Sequence, residues 1–247
     1  MRALIRAISF LTILPVGKRL MAEPEEDIST SMAWFPVVGL IPGALMLVIA
    51  YLSPRVLPPS VAAFLALLVE VIITGGLHLD GLADWADGLA GKSPEEVLRI
   101  MKDARSGAFG VSAIALLLLG KYAALLTIIT NRHELMALLI APVLARWTLT
   151  LVAGTSSYPR AEGGTGQAFV GQRGWKTILQ ATAAMGFVVL IIGELKAMVY
   201  ILIAGGAAGL IRWHSRRRVG GVTGDIIGAT CEIVELMVLL VAASALW

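Results

Sequence analysis

The sequence predicts an all-α fold: a polytopic bundle of about seven transmembrane helices with its N-terminus in the cytoplasm. Three observations carry that prediction. Of 247 residues, 57% are hydrophobic and only 15% are charged, whereas a soluble domain puts about a quarter of its residues into charged side chains. The apolar runs are long enough to cross a bilayer, which takes about 20 residues per helix. Lys and Arg gather on alternate sides of those runs, as membrane topology requires.

Taken in order, residues 1–16 set Arg2 and Arg6 among apolar neighbours. This stretch reads as an amphipathic helix lying in the membrane interface, not as a cleavable signal. Spans are expected at 32–52, 60–79, 107–130, 135–153, 177–193, 197–211 and 226–243, the fifth and sixth being the shortest. Very short loops join the third span to the fourth and the fifth to the sixth, which predicts two helical hairpins. With the N-terminus inside, the inner segments hold 15 Lys and Arg and the outer ones hold 3 (Arg55, Arg132 and Lys196). Lys121 and Arg146 fall within spans and complete the 20.

The polar stretches 88–106, 154–176 and 212–224 all fall on the inner side, so the chemistry is expected on the cytoplasmic face of the inner membrane. No repeat or long linker divides the chain, and 1–247 reads as a single integral membrane domain. The net charge of +3 needs no nucleic acid to explain it. A basic inner face suits anionic lipid head groups and phosphorylated substrates. Cys231, the one cysteine, has no intrachain partner and reads as a small buried hydrophobe.

The densest chemical signal is TGGLHLDGLADWADG at 74–88. Asp80, Asp84 and Asp87 are spaced i, i+4, i+7 and share a narrow arc of a helix. Carboxylates so close repel one another unless a cation sits among them, and an oxygen-only donor set suits Mg2+. The alternative is a solvated helix end, which the interleaved Leu82, Ala83, Trp85 and Ala86 argue against. His78 precedes the triad and would face away from it in a continuous helix, although Gly75 and Gly76 can break the helix there. Structural and catalytic readings of His78 are both open.

At 102–110, KDARSGAFG leads into the third span. Asp103 is a further candidate metal ligand, and Lys102 and Arg105 are candidates for phosphate oxygens. Gly107 and Gly110 permit close approach of backbone or ligand. At 220–235, GGVTGDIIGATCEIVE places Asp225 at the start of the last span and Glu232 two turns later. Glu70, Lys121, Arg146, Glu232 and Glu235 lie within apolar helices and must face the bundle interior, either as structural pairs or as substrate contacts. The glycine-rich run YPRAEGGTG at 158–166 contains Arg160 but lacks a P-loop's Lys-Ser/Thr ending, so flexible linker is its default reading.

Together these segments resemble the cobalamin synthase family. The matching runs are GGLHLDGLAD at 75–84 with ADG at 86–88, KDAR at 102–105 with GAFG at 107–110, YPR at 158–160, and GDIIGA at 224–229 with Glu232. The resemblance implies transfer of the phosphocobinamide group of adenosylcobinamide-GDP to the 3′-hydroxyl of α-ribazole or its 5′-phosphate, releasing GMP. It implies Mg2+ held by Asp80, Asp84 and Asp87 with Asp103 joining, a general base at Asp84 or Asp87, and a catalytic role for His78. Substrate contacts are implied at Lys102, Arg105, Arg146, Arg160, Asp225 and Glu232. The expected partners are the two substrates and the lipid bilayer, with homo-oligomers and docking of other cobalamin-assembly enzymes open.

Two rivals share some features. A CDP-alcohol phosphotransferase would show an Asp-Gly-x-x-Ala-Arg run with more widely spaced acids, but here Asp80-Gly81 is followed by Leu82, Ala83, Asp84 and Trp85, with no Arg. A cation transporter would show paired repeats and midplane sites, and here the acids cluster at the inner rim.

Overall fold

The computed structural model describes residues 2–16, 28–160, 162–163, 165–171, 174–192 and 196–244. Lys18, Arg19, Arg173 and the expected span end at Gly193 lie outside the described residues. The helices are α1 (Arg2–Leu11), α2 (Phe35–Val38), α3 (Leu40–Leu52), α4 (Pro59–Thr74), α5 (Leu77–Gly88) and α6 (Pro94–Ile100). They continue with α7 (Ala108–Asn131), α8 (Ala137–Gly154), α9 (Trp175–Ile192), α10 (Ala197–Val219) and α11 (Gly224–Ala242), and the described residues contain no strand.

Among the described residues, five helical segments are long and apolar enough to cross a membrane: Thr30–Arg55, α7, α8, α9 and α10. The pair α4 and α5, bent by 88°, makes a sixth. Outward-facing side chains such as Leu119 (64% exposed), Leu202 (68%) and Leu190 (78%) give the bundle the apolar exterior that lipid demands. The remaining expected span, α11, is 19 residues long but carries Asp225, Glu232 and Glu235. Its other neighbours are mostly buried, because α5, α7, α8 and α10 pack around it.

Two expectations are corrected. The second span does not run to residue 79, because α4 ends at Thr74 and two consecutive left-handed glycines, Gly75 (φ 63) and Gly76 (φ 69), turn the chain into α5. Glycine adopts this conformation with little penalty. The hairpins also do not form: α7 packs on α4, α5 and α11, and α8 lies against α3, α9, α10 and α11. A short loop fixes only how near two helix ends lie, and here α11 fits between α7 and α8, and α8 between α9 and α10.

The physical reason is a buried ion network. Lys121 of α7 donates to Glu70 of α4 at 2.8 Å, and to Glu232 and Glu235 of α11 at 2.8 and 3.1 Å. Arg146 of α8 pairs with the other oxygen of Glu235. All five side chains are at most 6% exposed. Arg146 and Glu232, expected to contact substrate, are thus given to the interior, where each satisfies a charge that lipid cannot solvate.

Removing one partner from such a network leaves uncompensated buried charge. Lys121→Met is expected to lower stability by about 3–5 kcal/mol, read as a large fall in Tm of the detergent-solubilised protein. The control Lys102→Met breaks an exposed pair with Glu162 and is expected to change stability by less than about 1 kcal/mol. Equal shifts for the two variants would contradict the structural role of the network.

Candidate active site

The site is built where α5 crosses the first turn of α11. A side chain at Gly81 would place its Cβ 2.8 Å from the carbonyl oxygen of Asp225, so only glycine permits this crossing. α11 begins there because Thr223 caps it, its hydroxyl oxygen accepting from the Ile226 N–H at 3.4 Å. The crossing brings Asp225 to the acidic face of α5.

Along that face the three aspartates meet different surroundings. Asp80 is exposed and shares a cavity with Asp225, while Asp84 is half-buried. Asp84 lies within electrostatic reach of Asp225, Asp80, Asp87 and Arg160. Asp87 is buried, and its two oxygens accept the backbone N–H groups of Gly107 at 2.6 Å and Gly110 at 2.8 Å. Gly107 has no side chain to cap α7, so Asp87 caps it from a neighbouring helix, and its negative charge is stabilised at the helix N-terminus. The close approach that Gly107 and Gly110 permit is therefore made by a carboxylate.

Asp225 accepts from Arg160 at 3.0 Å and from the Thr223 hydroxyl at 3.1 Å. Two described points of the glycine-rich run are tied to the start of α11: Arg160 through Asp225, and Gly166, where a Cβ would lie 2.6 Å from the backbone nitrogen of Gly224. Asp103 is exposed, and hydrogen bonds from the Arg105 side chain and backbone N–H hold its carboxyl below the usual range. Lys102 pairs with Glu162 at 2.6 Å, which holds that carboxyl low as well. Two adjoining cavities of about 350 and 570 Å3 share Arg99 and Lys102. Arg160 lines the first, while Arg105, Asp103 and Asp87 line the second.

Arg99 was not singled out from the sequence, where it counted only as a topology charge. Its place on α6, one turn before Lys102, is the signal that could have found it. His78 is 3% exposed, lines the same cavity as Asp80, and lies within the field of Arg146, Glu235 and Lys121. It stands between the acidic face and the ion network.

The donor set suits a hard divalent cation. Carboxylate oxygens predominate at the site, with the His78 imidazole beside them in the cavity that Asp80 and Asp225 line, and Arg160 pairs with Asp225 and lies within reach of Asp84. Among the described residues, no three His, Cys, Asp or Glu side chains converge on one point. That still fits Mg2+, which typically binds through one or two carboxylates and completes its shell with water and substrate phosphates.

Fold and site define a class: a helical membrane protein in which carboxylates at a helix crossing face a rim of Arg and Lys, an arrangement suited to phosphate chemistry. Residues 3–243 match the family model described as cobalamin-5-phosphate synthase, and the chain belongs to that family. The adenosylcobinamide-GDP ribazoletransferase of Chlorobaculum tepidum is 41% identical over 249 residues, spanning 99% of this chain and 95% of that protein. Proteins of the same name from Syntrophobacter fumaroxidans (41% identical, 96% of each chain) and Acetivibrio thermocellus (34%, covering 97% and 96%) are similarly close in extent. No solved structure matches.

The helix crossing can be tested directly. Gly81→Ala must push α5 from α11, and a displacement of about 1 Å costs on the order of 100-fold in rate when reacting groups are aligned. Turnover is expected to fall by that order while the variant still purifies as a folded protein. Unchanged turnover would show that the Asp80–Asp225 spacing is not critical.

Proposed function

We propose that this chain transfers the phosphocobinamide group of adenosylcobinamide-GDP to the 3′-hydroxyl of α-ribazole or its 5′-phosphate, releasing GMP. Family membership and the shared name of the relatives support the reaction. The observation that carries the mechanism is that Asp80 and Asp225 line a largely apolar cavity, while Arg160, paired with Asp225, and Asp87, on the same helix as Asp80, each line a basic one.

The roles follow from the surroundings. Arg99, Lys102, Arg105 and Arg160 hold the pyrophosphate, the arginines as forked donors. Arg160 also fixes Asp225 through their ion pair. Asp80 and Asp84 are the residues that would hold Mg2+, which when bound would neutralise charge on the pyrophosphate. Asp84 takes the proton of the attacking hydroxyl on the carboxylate oxygen turned from the ion; unlike Asp87, it accepts no backbone N–H among the described residues. Asp87, whose oxygens both accept N–H groups, positions α7 and the basic loop against α5. Asp103 is tied to Arg105 and serves by orienting that side chain. The Lys and Arg bias between loops supports a reaction at the cytoplasmic face.

The test uses membranes containing this protein with adenosylcobinamide-GDP, α-ribazole and Mg2+, following GMP and corrinoid product by chromatography. Asp84→Asn is expected to lower kcat by about 100- to 10,000-fold, and a chelator is expected to abolish product until Mg2+ is restored. Full activity of the variant, or turnover that survives chelation, would contradict the assigned roles. No product from well-folded wild type with either acceptor would contradict the reaction itself.

A further inference from the structure

A cavity of about 270 Å3 lies between α1, α2, α5, α8 and the first turn of α11. Asp80 and Asp225 stand at its polar edge, and Phe10, Phe35, Phe169 and Leu149 are among its apolar walls. The three rings come from separate parts of the chain and meet: Phe10 and Phe169 at 4.6 Å between centroids, Phe10 and Phe35 at 6.0 Å, and Phe35 and Phe169 at 6.1 Å. Phe169 is brought there by the docking of Gly166 on Gly224.

Size and chemistry restrict the occupant. Drug-sized ligands fill about 300–1,000 Å3, so the cavity has room for a single compact ring system and not for a corrin macrocycle or a whole nucleotide. Apart from Asp80 and Asp225, its walls offer aromatic faces, aliphatic carbon and the buried imidazole of His78, which favours a planar, weakly polar ring with a heteroatom. The carboxylates at its edge belong to the reaction site, so a ring held here keeps its attached sugar against Asp80 and Asp225. The phosphates of the donor have the separate basic cavities lined by Arg99, Lys102, Arg105 and Arg160.

Resting on the function proposed above, we infer that this cavity is the acceptor subsite and takes the aromatic heterocyclic base of α-ribazole. The Phe10–Phe35–Phe169 wall supports the base while the ribose hydroxyl reaches the carboxylates. α1 is thereby part of the substrate site and not only a surface anchor. The wall also sets which bases are accepted, since a smaller ring leaves part of the apolar surface uncovered.

The test separates binding from turnover. Equilibrium binding of α-ribazole to the purified full-length protein is followed by the intrinsic fluorescence of its base, alongside KM values for both substrates. Phe169→Ala and Phe10→Ala are each expected to weaken α-ribazole binding and raise its KM by about tenfold. The KM for adenosylcobinamide-GDP is expected to stay unchanged, and Phe169→Leu to recover part of the loss. α-Ribosyl imidazole, with a single small ring, is expected to bind wild type and Phe169→Ala almost equally. Unchanged α-ribazole affinity in both alanine variants would overturn the inference, as would a parallel rise in both KM values. So would a lipid that co-purifies with the protein in this cavity and is not displaced by α-ribazole. Phe169-dependent binding without any turnover would sustain the subsite and overturn the transfer reaction.

Discussion

Three carboxylates and two cations buried among α4, α7, α8 and α11 set the constraint on which the structure depends. None of the five could remain charged alone in a lipid-enclosed interior. Together they require Lys121 and Arg146 to approach α11 from opposite sides. That draws α11, too polar to face lipid, into the middle of the bundle. Once α11 is central, its first turn with Asp225 arrives at the rim where α5 carries its own aspartates. The buried network therefore places the carboxylate face through pairs made within the bundle interior.

The face itself depends on short-range contacts. The Gly75–Gly76 turn aims α5 away from α4 by 88°, and Gly81 lets it settle on the Asp225 backbone. Asp87 then ties α5 to the start of α7, so that the basic loop between α6 and α7 is held beside the carboxylates. Acid and base are near enough to serve one phosphate-bearing substrate but are not collapsed into ion pairs throughout. Asp87, Asp103 and Asp225 have protein partners, and Asp80 and Asp84 are the acids proposed to meet a cation and a hydroxyl.

Much of this was legible in the sequence, for identifiable reasons. The aspartate triad was visible because helical periodicity alone puts i, i+4 and i+7 on one face. The break before it was signalled by two adjacent glycines. The difference between Asp87 and its neighbours was not visible, since it depends on α7 arriving at that point from 20 residues further along the chain. The hairpins were misjudged because loop length says nothing about a third helix inserting itself. Arg146 and Glu232 were recognised as interior charges, but sequence spacing could not distinguish a structural pair from a substrate contact. The phenylalanine wall had no signal of its own, because Phe10, Phe35 and Phe169 are far apart in sequence and resemble ordinary core residues.

In the proposed mechanism Asp80 and Asp84, and not Asp87 or Asp103, would hold the cation that meets the pyrophosphate. The most direct measurement is a crystal structure of the protein with adenosylcobinamide-GDP and Mn2+ replacing Mg2+, the ion being located by its anomalous scattering. The expected result is a peak between the Asp80 and Asp84 carboxylates and the phosphate oxygens, with Asp87 still bound to the Gly107 and Gly110 N–H groups. A peak at Asp87 or Asp103, with those N–H bonds broken, would contradict it.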